Sequence, residues 1–296
     1  MRARYGWLLA ALLGLTSLAR ADIVVRDDAG HDVHLKAPAR RIVALAPHST
    51  ESLYAAGGGA YLVGTVEYSD YPPEAKKVPR VGGYSRLDLE AIVALKPDLV
   101  IAWQSGNPAA QVDKLRALGL TVFITQPNLM ADVASQLEQL GQLAGTESIA
   151  KPAAERFRQR LENLRRANAA KPKVRVFYQI WKNPLMTVGG QQIISDALHL
   201  CGGDNIFGKL PQMAPTVSVE AVLEADPEAI VATGMGDARP EWLSDWNQWR
   251  RMTAVKRGNL FHINPDLMQR HTPRILDGAE QLCAHLDVAR SRRPSK

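Results

Sequence analysis

Short apolar runs recur along the chain at residues 42–45 (IVAL), 99–102 (LVIA), 122–124 (VFI), 174–178 (VRVFY), 229–232 (AIVA) and 260–263 (LFHI). Runs of this length predict strands covered on both faces, as in parallel sheets. Helical periodicity lies between them, at 51–56, 89–95, 109–118 and 133–144. Strand alternating with helix predicts an α/β chain with parallel sheets. A different pattern fills 148–170. There Phe157, Leu161 and Leu164 recur at helical spacing among Ala, Arg and Glu, and Pro172 ends the run. At about 1.5 Å per residue this helix would span about 30 Å, the length of a strut between two lobes.

The two sides of the strut share a pattern. Residues 89–102 (LEAIVALKPDLVIA) align without a gap on 219–232 (VEAVLEADPEAIVA). Each begins as a helix, meets a proline (Pro97, Pro227) and enters a strand. Asp88 and Ser218 precede the two segments, and both suit a helix N-cap. The shared order predicts two related lobes. The expected division is a leader over 1–21, an N-terminal α/β lobe over 22–147, a linking helix over 148–171 and a C-terminal α/β lobe over 172–296. A ligand would then lie between the lobes, at strand C-terminal ends.

Residues 1–21 stand apart. Arg2 and Arg4, an apolar run from Trp7 to Leu15, and the small-x-small end Ala19-Arg20-Ala21 form the layout of a secretory signal peptide cleaved after Ala21. No later stretch is apolar enough to span a membrane. The chain has 296 residues, 46% of them hydrophobic and 22% charged, which excludes disorder and a disulfide-stapled miniprotein. Its formal charge of +6 first suggests nucleic acid. Loss of Arg2, Arg4 and Arg20 leaves 33 basic against 30 acidic residues, or +3, spread along the chain. An exported protein so weakly basic is not expected to bind nucleic acid. The basic tail from Arg290 to Lys296 reads as a frayed, solvated end.

Export leaves two readings of Cys201 and Cys283. They are a bridge closing a loop of about 80 residues, which chain entropy makes worth roughly 4 kcal/mol, or two buried thiols. No metal-binding spacing is present. Nor is there a GxSxG, HExxH or phosphate-loop sequence, so the chain is not expected to be an enzyme. His31 and His34 lie in a predicted hairpin and read as surface residues. His48 follows the strand at 42–45, and His271 follows Arg270 in a predicted loop. Tyr68, Tyr84 and Trp103 stand in loops after strands, where aromatic rings stack on flat ligands. Trp242, Trp246 and Trp249 share one helical face and read as core. Glu90 and Glu220 occupy matching positions near their helix N-termini. There they complement the helix dipole or present two symmetric carboxylates to a basic partner.

The segments RIVALAPHSTESLYAAG, VEYSDYPPEAKKVPRVGGYSRLDLEAIVALKPDLVIAW, CGGDNIF and TPRIL together resemble the periplasmic cobalamin-binding proteins of ABC importers. These belong to the helix-linked (class III) solute-binding proteins, which also include haem and iron-siderophore binders. The resemblance covers nearly all of residues 38–288. It implies two Rossmann-like α/β lobes joined by one long helix, ligand capture between them and delivery to a permease by a soluble monomer. It implies Tyr68, Tyr84 and Trp103 on the first-lobe face of the site, and Met186, Asp266 and Arg270 on the second. It also implies permease docking through Glu90 and Glu220 and a disulfide between Cys201 and Cys283. Cobalamin is the ligand it implies, with no intrinsic cofactor and no protein ligand to the metal. Two departures stand out: Tyr84 and Ala214 replace family tryptophans. Tyr84 sits in a GYxR context that haem-binding relatives use, so the alternative is a haem or iron-siderophore binding protein of the same class. A reading from another class is an exported enzyme using the same cleft.

Overall fold

The computed structural model describes residues 22–234 and 240–294. The expected leader over 1–21 therefore lies outside the described residues. The chain opens with an antiparallel hairpin, β1 (Ile23–Arg26) and β2 (Asp32–Leu35). Alternation sets Val33 and Leu35 against the core and leaves His31 and His34 exposed, as expected.

The first sheet is built from β3 (Ile42–Ala44) and β4 (Leu62–Thr65), with helix α1 (Pro47–Ala55) between them. A short hairpin follows, β5 (Gly82–Gly83) and β6 (Arg86–Leu87). Then come α2 (Leu89–Ala94), β7 (Leu99–Trp103), α3 (Ala109–Ala117) and β8 (Val122–Thr125). The strands lie in the order β4-β3-β7-β8, all parallel.

Helix α4 (Asp132–Ala144) turns at Gly145 into the strut α5 (Glu147–Asn168), which buries Phe157 and Leu161. The second lobe contains β9 (Val174–Gln179), α6 (Ile193–Leu200), β10 (Gly203–Asn205), α7 (Val219–Ala225) and β11 (Ala229–Ala232). It is completed by α8 (Thr253–Lys256), β12 (Leu260–His262), α9 (Pro265–Met268) and α10 (Ile275–Ser291). Its strands lie in the order β10-β9-β11-β12, again parallel. Counted within each lobe, both orders are 2-1-3-4. The fold is thus the expected α/β pair with parallel sheets and one long joining helix.

The internal match holds in three dimensions. Asp88 accepts from the Ala91 N–H at 3.0 Å and Ser218 from that of Ala221 at 3.1 Å, so each caps its helix. A helix leading into a parallel strand runs antiparallel to it. The N-termini of α2 and α7 therefore point to the strand C-terminal edge, where the lobes meet.

Two expectations fail. The tryptophan face is not all core. Residues Glu241–Gln248 form a 3-10 helix, and its threefold turn spreads the rings. Trp246 is buried and donates to the Gln179 Oε1 at 2.8 Å, whereas Trp249 lies beyond the helix and is 38% exposed. Nor is the basic tail frayed as far as Arg293. Arg290 pairs with Asp287, Arg292 donates to the Gly258 carbonyl at 2.6 Å, and Arg293 forks onto Glu228. Acceptors on the second lobe hold these cations in place.

Candidate functional site

The C-terminal strand edges of the two lobes meet in a seam. Trp103 ends β7 and is half-buried. Its ring lies against Gly106, where a Cβ would come within 1.8 Å of it, so only glycine allows this turn. Asn107 fixes the local geometry. Its Oδ1 accepts from the Trp103 N–H at 2.6 Å, and its amide donates to the carbonyls of Leu45 and Tyr84, each at 2.8 Å. One buried amide thus ties together the ends of two strands and the hairpin carrying Tyr84. Nothing in the sequence pattern singled it out.

Tyr84 stands at the tip of the β5–β6 hairpin, 40% exposed, its ring 6.1 Å from that of Trp103. Gly82 makes the turn into that tip at φ +97°, with a Cβ position only 2.5 Å from the Arg86 carbonyl oxygen. Tyr68 is 64% exposed and adopts φ +63°, the left-handed region that disfavours a residue with a Cβ. An exposed aromatic ring held in that conformation marks its loop as a place where backbone strain is tolerated.

From the second lobe comes Arg270. It donates to Asp70 at 2.6 Å across the seam and pairs with Asp266 of its own lobe at 3.1 Å. The guanidinium draws the Asp70 carboxyl below the usual range against the opposing effect of burial. Met186 is half-buried and joined to Trp181 and Thr216 by isolated bridges, on the stretch after β9. Tyr84 and Trp103 thus lie together on the first lobe, Tyr68 stands two residues before Asp70, and Arg270 joins Asp70 from the second lobe beside Asp266. A cavity of about 190 Å³ opens nearby at the end of β9, between Gln179, Lys182, Trp242 and Trp249. Glu90 and Glu220 are exposed at the second positions of α2 and α7.

The seam also holds groups that the sequence left undecided. His48, in the first turn of α1, and His271 are both buried, with ring centroids 5.4 Å apart. Trp103 packs edge-on to each, at 5.0 and 6.1 Å. Burial lowers the His48 pKa well below its usual range, helped by His271 and Arg270, and burial pushes His271 down to about 4. Both imidazoles are therefore neutral near pH 7. The Gln192 amide donates to the His271 Nε2 at 3.3 Å. The His48 Nε2, Trp103 Nε1 and His271 Nδ1 are buried without a protein hydrogen-bond partner. Below them Glu51 and Arg274 form a two-pronged ion pair between lobes, at 2.7 and 2.6 Å. Cys201 and Cys283 form the disulfide, tying the end of α6 to α10.

Residues 42–267 match the family described as periplasmic binding protein. The chain belongs to the periplasmic binding protein family. It is 40% identical over 253 residues to the vitamin B12-binding protein of Vibrio cholerae, a span covering 85% of this chain and 91% of that protein. The crystal structure of periplasmic vitamin B12-binding protein BtuF of Vibrio cholerae superposes with a TM-score of 0.80 at 38% identity, covering 86% of this chain and 98% of that one. A periplasmic heme-binding protein from Pseudomonas aeruginosa superposes with a TM-score of 0.74 at 25% identity, covering 87% and 95%. No helix among the described residues is long and apolar enough to cross a membrane.

Proposed function

We propose that this periplasmic binding protein captures cobalamin between its lobes and delivers it to an ABC importer. The observation that carries the reading is the likeness to the Vibrio vitamin B12-binding protein through both lobes, and so on both sides of the seam. Tyr68, Tyr84 and Trp103 supply aromatic contact from one lobe. Met186 and the Asp266–Arg270 pair supply a mixed apolar and polar face from the other. A corrin is broad, apolar on its faces and rimmed by amides. Aromatic surface with a few fixed polar groups suits it without any protein ligand to cobalt.

The leader over 1–21 is removed after export, and the remaining chain works as a periplasmic monomer without catalysis. Glu90 and Glu220 dock the two lobes onto permease arginines. Their equivalent, exposed places in the first turns of α2 and α7 support this reading, one carboxylate on each lobe for a two-fold partner. In proteoliposomes carrying the cognate importer, the wild type should drive cobalamin uptake. Glu90→Ala with Glu220→Ala should bind cobalamin with unchanged affinity and abolish uptake. Uptake persisting in that variant would remove the docking role. Haem is the competing ligand, favoured by one observation: Tyr84 stands 40% exposed at a hairpin tip.

A further inference from the structure

Tyr71 lies in the loop after β4, next to Asp70, whose carboxylate reaches Arg270 across the seam. Its ring is 41% exposed, and the Arg274 guanidinium covers one face at 3.7 Å. Arg274 is itself fixed. Its Nε and Nη2 fork onto both oxygens of Glu51, whose side chain is only 3% exposed. The fork leaves the guanidinium plane no freedom to rotate, and the plane determines where the ring rests.

The placement of Arg274 goes against local preference. It is the N-cap of α10, where a cation meets the positive end of the helix dipole. A position that is unfavourable for its own helix is retained here by contacts to the other lobe. Those contacts are a buried carboxylate and an aromatic face, both from the first lobe.

We propose that Tyr71 is a stacking wall of the ligand site, and that Glu51 and Arg274 are the positioning pair that holds its ring and sets the spacing of the lobes. The assignment rests on the corrinoid reading above. The ligand chemistry that fits is a flat or gently curved, largely apolar face with polar groups at its edge. One face of the ring is packed on the cation, so the other has little freedom to lose when a ligand settles on it.

The test compares the full mature chain with Tyr71→Ala, Tyr71→Phe, and the double variant Glu51→Gln with Arg274→Gln. The double variant avoids leaving one buried charge unpaired. Calorimetry and stopped-flow dissociation with cyanocobalamin provide the readouts, and thermal unfolding checks the fold. Tyr71→Ala should weaken binding about tenfold, mainly through faster dissociation, and Tyr71→Phe should recover most of that loss. In the Glu51→Gln, Arg274→Gln background, Tyr71→Ala should cost much less than it does alone, because the ring is no longer held. That coupling is the readout a merely structural pair would not produce. Unchanged affinity and dissociation in Tyr71→Ala, with a wild type that binds cyanocobalamin, would overturn the Tyr71 assignment alone. Equal Tyr71→Ala effects in the two backgrounds would overturn the positioning role. A wild type that binds no corrinoid would overturn the ligand reading and this assignment with it.

Discussion

Replacing Cys201 and Cys283 together by serine is expected to lower the unfolding free energy of residues 22–296 by about 4 kcal/mol. The bridge spans 82 positions, so the loop it closes contains β10, β11, β12 and the helices between them. Without it the unfolded second lobe gains the entropy of that loop, while the folded lobe keeps nearly all its contacts. Both cysteines are buried, Cys201 as the cap residue after α6 and Cys283 on the inner face of α10. The serine hydroxyls would be buried there, which adds to the loss. Urea unfolding of the oxidised protein and the double-serine variant measures the difference. A change below about 1 kcal/mol would contradict the account.

Acid should destabilise the interlobe seam through its histidines. His271 has its folded pKa near 4 against an unfolded value of 6.5, and that of His48 is also well below 6.5. For a histidine with a depressed folded pKa, stability is at its full value above the unfolded pKa. It falls as pH drops from about 6.5 towards about 4, because only the unfolded chain takes up the proton in that window. His271 alone is then worth about 3 kcal/mol across the window. His48 and half-buried His285, both lowered by burial, act in the same direction. His271→Gln should reduce this dependence and leave the part due to His48 and His285, since glutamine keeps a polar group opposite Gln192 without titrating. The measurement is denaturant unfolding at several pH values between 7 and 4. An unaltered slope in His271→Gln would refute the assignment. Paired carboxylates such as Asp70, Glu228 and Asp287, held below their ordinary range, start to lose their contribution only as pH falls to their ordinary values near 4 and go on losing it below that.

The sequence made the sheets legible because their inner strands are buried on both faces. Residues 99–102 and 229–232 are apolar without interruption, and their helices carry matching caps at Asp88 and Ser218. Of the edge strands, β8 and β12 were legible as the apolar runs at 122–124 and 260–263, but β4 and β10 left no such mark. β10 reads GDN and is a strand only because Val174–Val176 offers it a parallel partner. β4 reads LVGT, and its Gly64 makes room for the Leu95 side chain, so a packing demand dilutes the strand signal.

The site divides in the same way. Tyr68, Tyr84 and Trp103 were visible because they sit just after a strand, at a glycine turn and at the last position of a strand. The pairs that join the lobes were not. Glu51 and Arg274 are 223 residues apart, and His48 and His271 are equally distant along the chain. Spacing carries no information about contacts that only the closed seam creates. Asn107 escaped for another reason: its role is to satisfy three backbone groups, and backbone groups have no sequence signature.

Side-by-side calorimetry of residues 22–296 with cyanocobalamin and with haemin decides between the two ligands. The account predicts tight, one-to-one binding of cyanocobalamin, weakened in Trp103→Ala and Arg270→Ala. Absence of heat with cyanocobalamin, together with tight haemin binding and a tyrosinate-to-iron absorption band lost in Tyr84→Phe, would contradict it.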